Sequence, residues 1–122
     1  MYKIRASVYN TYMTNNNTVE VTMKYIVDID GTICTITEKN GYANAKPYGH
    51  RIEYFNHLYD QGHEIHYWTA RGGSSGIDWT ELTKLQLFDW NVKYTSLQLG
   101  KPSYDVWIDD KAHNVDEYFK DD

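Results

Sequence analysis

The strongest constraint on the fold is a repeated pattern of short apolar runs, each stopped by Asp, Gly or Thr and each separated from the next by a helical period. Tyr25-Ile26-Val27-Asp28-Ile29 ends at Asp30-Gly31, and Glu64 to Trp68 ends in Thr69-Ala70-Arg71-Gly72-Gly73. Tyr94 to Leu99 reads as a third strand running into Gly100-Lys101-Pro102, and Tyr104 to Ile108 as a fourth, closed by Asp109-Asp110. Between the first two, Pro47 opens a helical pattern with Ile52, Phe55, Leu58 and Tyr59 on one face, and Gly62 supplies the stop. Between the second and third, Asp78 and Glu81 make an N-cap box. Leu82, Leu85 and Phe88 follow at helical spacing, and Asn91 ends the helix. Asn114 and Glu117 mark a last short helix carrying Val115, Tyr118 and Phe119. Strands alternating with helices at this spacing make a parallel sheet with right-handed crossovers. The expected fold is a single α/β Rossmann-like three-layer domain with a mainly parallel sheet.

Composition narrows what such a domain does. The 122 residues suffice for one core, and 41% hydrophobic against 24% charged residues excludes a disordered chain. A formal charge of -5 disfavours non-specific binding to nucleic acid or to anionic membranes, although a local basic site survives such an average. Cys34 is the single cysteine, which removes a disulfide framework and any multi-cysteine zinc site. No apolar run approaches the roughly 20 residues of a membrane-spanning helix, and Met1 to Asn10 lack the apolar stretch of a secretion signal. The expectation is a cytoplasmic protein without a membrane partner.

Residues 1–23 differ from the rest: they are polar, with Asn15, Asn16 and Asn17 in a row. Lys3 to Tyr9 and Val19 to Met23 alternate loosely, so a small hairpin and a flexible extension both fit. Residues 24–122 hold the predicted catalytic domain.

In a doubly wound sheet, ligands sit outside the carboxyl ends of the strands. The residues expected there are Asp28, Asp30, Thr69, Lys101, Asp109 and Asp110. Four carboxylates in one crevice repel one another, so the site needs cations. Lys101 supplies one charge, and a hard divalent ion with oxygen ligands would supply the rest.

Asp28-Ile29-Asp30-Gly31-Thr32-Ile33 resembles the first motif of the haloacid dehalogenase superfamily. Thr69 looks like its second, Lys101 in Gly100-Lys101-Pro102 like its third, and Asp109-Asp110 like its acidic fourth, all in order from about Tyr25 to Ala112. The resemblance implies a phosphatase. Asp28 would attack phosphorus to form an aspartyl-phosphate, and Asp30 would protonate the leaving alkoxide and then take a proton from water. Thr69 and Lys101 would hold the non-bridging oxygens. Mg2+ would be held by Asp28, the backbone carbonyl of Asp30, Asp109 and Asp110, directly or through water. Gly31, Thr32, Ala70 and Arg71 would border the substrate, with Arg71 reaching its leaving group.

The remaining candidates read as structure. His63 and His66, three apart on a strand, point to opposite faces. Cys34 has nothing beside it in the sequence that would activate a thiol and reads as a small buried hydrophobe. Neither Cys34 to Lys46 nor the stretch between the second and third motifs is long enough to fold a cap domain, so the site should be open, or closed by a second copy in a homo-oligomer. The expected activity is Mg2+-dependent hydrolysis of a small phosphomonoester, a sugar phosphate or nucleotide. The alternatives are a nucleotide or polynucleotide-end phosphatase, and a catalytically silent module that binds metal or phosphate.

Overall fold

Parallel strands need a crossover to return the chain, and here each crossover is one helix, as the sequence predicts. The computed structural model describes residues 11–14 and 17–120. Strands β1 (Thr11–Thr14) and β2 (Asn17–Glu20) pair antiparallel, with Thr11 opposite Glu20 and Thr14 opposite Asn17. The loosely alternating stretch Lys3 to Tyr9 lies outside the described residues. The main sheet follows: β3 (Lys24–Val27), helix α1 (Gly49–Asp60), β4 (Glu64–Thr69), helix α2 (Thr80–Asp89), β5 (Ser96–Leu99) and the short helix α3 (Val115–Tyr118). β3, β4 and β5 lie side by side in that order, all parallel, with Val27 opposite Tyr67 and Thr69 opposite Leu99. This is an open α/β sheet in a single Rossmann-like domain, and among the described residues no cap interrupts it.

The core forms on the sheet face that α1 covers. Val27 and Ile29 continue it from β3, Ile65 and Tyr67 from β4, and Ile52, Phe55 and Leu58 from α1. Tyr54, absent from the predicted apolar face, is buried as well, because α3 closes over that side of α1. Its ring meets Phe119 edge-on at 5.3 Å and Tyr118 at 5.6 Å. The chain leaves α1 through Gly62, whose φ of 98° is left-handed and suits a residue without Cβ.

Tyr59, expected on the apolar face of α1, is 39% exposed. The expected Asp78 cap does not form: α2 starts after Trp79, with Asp78 Oδ1 accepting from the Thr80 N–H at 3.0 Å in a turn before the helix. Two larger expectations fail, each for a physical reason. The predicted core stripe of α2, Leu82, Leu85 and Phe88, is not what the helix buries. Thr83, Gln86 and Leu87 are buried instead, while Phe88 is 79% exposed. The buried polar pair serves a guanidinium, described below. The predicted fourth strand, Tyr104 to Ile108, forms none: Val106 is 75% and Ile108 93% exposed. A β-branched run becomes a strand only where a ladder partner lies beside it, and among the described residues this one pairs with none. It touches the sheet through a ring instead, with Trp107 edge-on to Trp68 at 6.0 Å and to Tyr104 at 4.9 Å.

Candidate functional site

The site grows from the end of β3. After Val27 the chain passes Asp28 and Ile29 and folds into a tight turn, in which the N–H groups of Thr32 and Ile33 donate to Ile29 O at 3.0 and 2.9 Å. Gly31, at φ 84°, closes the turn by donating to Cys34 O at 2.8 Å. A Cβ there would stand 3.1 Å from the Ile36 side chain in a backbone conformation that L residues rarely adopt, so this turn requires glycine at position 31. Arg51 of α1 braces the outside of the turn, its Nη1 donating to the carbonyls of Gly31 and Thr32 at 3.4 and 3.3 Å.

Lys101 meets Asp28 from the end of β5. Its backbone N–H donates to Thr69 O at 3.1 Å, which extends the β4–β5 pairing by one step and aims the side chain back across the sheet. Nζ lies 3.4 Å from Asp28 Oδ1, with the Asp28 side chain about one-third exposed. Burial pushes the Asp28 carboxyl above its ordinary value, and the Lys101 ammonium opposes that push. On its other side Nζ sits 5.2 Å from the Tyr104 ring and 5.9 Å from the Trp107 ring, cation–π contacts that hold the ammonium in a half-apolar corner.

Asp30, two residues on, is held by Arg71. Nε of Arg71 donates to Oδ2 at 2.9 Å and Nη2 to Oδ1 at 2.8 Å, a two-point fork on one carboxylate. Behind the fork, Nη1 donates to Thr83 Oγ1 at 3.1 Å and to Gln86 Oε1 at 2.6 Å, both on α2. The Tyr42 ring covers one face of the guanidinium at 4.8 Å, and Gln86 Nε2 in turn donates to Tyr42 O at 2.6 Å. This explains the polar face that α2 buries. Cys34 also touches the pair, with Sγ 3.5 Å from Asp30 Oδ1; burial, then the neighbouring carboxylate, pushes its thiol up to about 12. Buried and beside a carboxylate, it sits in surroundings that disfavour the thiolate.

The structure therefore brings Asp28, Asp30, Thr69, Arg71 and Lys101 together, with Gly31, Thr32 and Ala70 on the same turns. Thr69 is buried, and its hydroxyl oxygen accepts from the Arg71 N–H at 3.2 Å. The expected reach of Arg71 to a leaving group is not what the structure shows: its side chain is fully buried against Asp30. Asp109 and Asp110 are not brought to the others. Both are exposed on the segment after Lys101, and Asp109 is turned to the Lys111 N–H and to Trp107 Nε1, bonds that lower its pKa. The ligand set implied for Mg2+ is thus not assembled: Asp109 and Asp110 stand exposed on the segment after Lys101, and among the described residues no three His, Cys, Asp or Glu side chains gather.

Sequence reasoning missed Thr83, Gln86 and Tyr42. The only signal was a polar i, i+3 pair on a helix otherwise read by its leucines. His63 and His66 are separately engaged: His63 Nδ1 accepts from the Met23 N–H at 3.1 Å, and His66 lies between Ser96 Oγ at 2.6 Å and Glu64 Oε1 at 2.9 Å.

No protein-family model matches the chain, and no curated protein matches it. A crystal structure of an MCSG target from Vibrio cholerae is similar to it, with a TM-score of 0.69 and 29% sequence identity over 80% of this chain and 87% of that one. The likeness covers most of the domain and supports the α/β architecture. Among the described residues no helix is long and apolar enough to cross a membrane.

Proposed function

We propose that the chain is a phosphomonoesterase of the haloacid dehalogenase type, working through an aspartyl-phosphate on Asp28. The observation that carries this reading is Lys101 Nζ at 3.4 Å from Asp28 at the carboxyl ends of the parallel strands. It sets a nucleophilic oxygen beside a cation that attracts the phosphoryl dianion. The four motifs in order support the same reading.

In the first step an oxygen of Asp28 attacks phosphorus, the bond from phosphorus to the leaving oxygen breaks, and that oxygen takes the proton carried by Asp30. In the second, water attacks phosphorus and gives a proton to Asp30. The Asp28–phosphorus bond then breaks, returning the carboxylate and releasing phosphate. Lys101 balances charge on the non-bridging oxygens through both steps, with Thr69 as the neighbouring hydroxyl.

A Mg2+ requirement belongs to the proposal on the strength of the resemblance alone. Because the implied ligands are not gathered, no step above runs through the ion. Cytoplasmic action, and a homo-oligomer that lids the uncapped site, are likewise part of the proposal. One observation favours a nucleotide over a sugar phosphate: the half-exposed rings of Tyr104 and Trp107 stand beside the Lys101 ammonium, where a base could stack. The other alternative is a silent phosphate-binding module; the intact pair Asp28 and Asp30 argues against it, since a pure binder has no need of the acid.

A phosphate-release screen over sugar phosphates, nucleotides and phosphorylated DNA ends, with Mg2+ and in excess chelator, decides among these. Release from at least one class, lost in Asp28→Asn, is the expected result. Phosphate binding without release from any class would establish the silent module, and undiminished release in chelator would remove Mg2+ from the account.

A further inference from the structure

We propose that Arg71 is a positioning residue for proton transfer, fixing the Asp30 carboxylate through a two-point fork that α2 holds from behind. The proposal rests on the phosphomonoesterase reading and deepens it. It replaces the substrate contact expected of Arg71 with a role exerted through Asp30.

Three features of the geometry lead there. The Arg71 side chain is fully buried, so it is closed to a substrate without rearrangement of the loop after β4. Each of its nitrogens has a protein partner: Nε and Nη2 on the two oxygens of Asp30, Nη1 on Thr83 and Gln86. Finally, Gln86 and the Tyr42 ring fix the plane of the guanidinium, and Gln86 also bonds Tyr42 O, so the fork is a rigid part of the scaffold. A planar fork that cannot turn imposes its own plane on the carboxylate it holds.

The chemistry needs such control. Asp30 must reach the leaving oxygen in one step and the attacking water in the next, and both positions are set by phosphorus on Asp28. Each carboxylate oxygen keeps a second lone pair beyond the one facing Arg71, and that lone pair takes and gives the proton. A carboxylate free to rotate would present it in the wrong direction most of the time, and small misplacements of a catalytic group lower rates by up to 10²-fold. Lysine cannot substitute, because a single ammonium holds one oxygen and leaves the plane undetermined.

The test compares an alkyl phosphate, which needs a proton on its leaving oxygen, with an aryl phosphate, which needs it far less. In Arg71→Lys, kcat for the alkyl ester should fall by about 10²-fold and kcat for the aryl ester by less than about 10-fold, with KM nearly unchanged. In an Asp30→Asn background the same substitution should have little further effect, because the residue it positions is gone. Gln86→Met, which loosens the fork from behind and leaves both charges in place, should show the same leaving-group pattern at smaller size. It serves if Arg71→Lys does not fold. Equal losses on both esters, or losses that multiply with those of Asp30→Asn, would overturn the positioning role and leave the phosphomonoesterase reading intact. Wild-type protein inert towards every ester would overturn that reading and this role with it. In that case coupling between Arg71 and Asp30 in urea unfolding would still report the ion pair as structure only.

Discussion

Cutting the Arg71–Asp30 pair from its two ends should give unequal losses of stability, and the exposures predict the order. The Arg71 side chain is 0% exposed and that of Asp30 is 21% exposed. Asp30→Ala therefore leaves a guanidinium that cannot reach water, which is the case where breaking a buried pair costs about 3–5 kcal/mol. Arg71→Met keeps the apolar stem and leaves a carboxylate that can hydrate, with Thr83 and Gln86 short of one donor. Its cost should be about 2–3 kcal/mol. Asp30→Asn keeps one acceptor and should fall below Asp30→Ala. Removing both charges together should be less harmful than Asp30→Ala alone, because no charge is then stranded. The assay is urea unfolding at neutral pH. With a slope of about 2 kcal/mol per molar urea, a loss of about 4 kcal/mol lowers the midpoint by about 2 M, a large share of the stability of a small domain. If Arg71→Met proves the worse variant, or if Asp30→Ala shifts the midpoint by less than about 0.5 M, the account of this pair is wrong.

Three further perturbations test the Asp28–Lys101 pair and the loop after β4. Because burial raises the Asp28 pKa and Lys101 opposes it, the acid limb of kcat/KM should lie above the ordinary carboxylate value of 3.8, and Lys101→Met should move the limb of its residual activity higher. A raised folded pKa means that Asp28 contributes stability fully below its unfolded value and loses it as pH rises through the folded one. The advantage of Asp28→Asn over wild type should therefore grow with pH across that window, read by thermal unfolding at several pH values. Gly72→Ala should unfold at lower urea, since a Cβ at φ 82° would stand 2.2 Å from Ile77 O; an unchanged midpoint would show that the loop after β4 relaxes freely.

The frame of the domain was legible where local signals and tertiary demands agree. Val27 and Ile29, and Ile65 and Tyr67, are apolar because they face α1, and the polar residues that end these strands fall where the sheet stops. Gly31 and Gly62 mark turns that need left-handed backbone, and the short gap after Cys34 shows that no cap could fold there. What stayed hidden depends on pairs distant in sequence. Asp30 and Arg71 are 41 residues apart, and their pairing reverses the reading of α2: a buried guanidinium recruits Thr83 and Gln86 inward and turns Phe88 out. Apolar periodicity carries no record of a buried charge that a helix must serve. Tyr104 to Ile108 failed in the opposite sense. Its residues suit a strand, but β pairing is decided by the neighbour, and the segment lies exposed with Trp107 edge-on to Trp68 at 6.0 Å.

The claim that Asp28 carries the phosphoryl group has a direct measurement. The protein is mixed with a substrate found in the release screen, quenched in acid within one turnover, digested and analysed by mass spectrometry. The account predicts one added phosphoryl group on the peptide that contains Asp28, localised to that residue, sensitive to hydroxylamine and absent in Asp28→Asn. Steady phosphate release by wild-type protein with no acyl-phosphate at Asp28 under any quench time, together with undiminished turnover in Asp28→Asn, would contradict it.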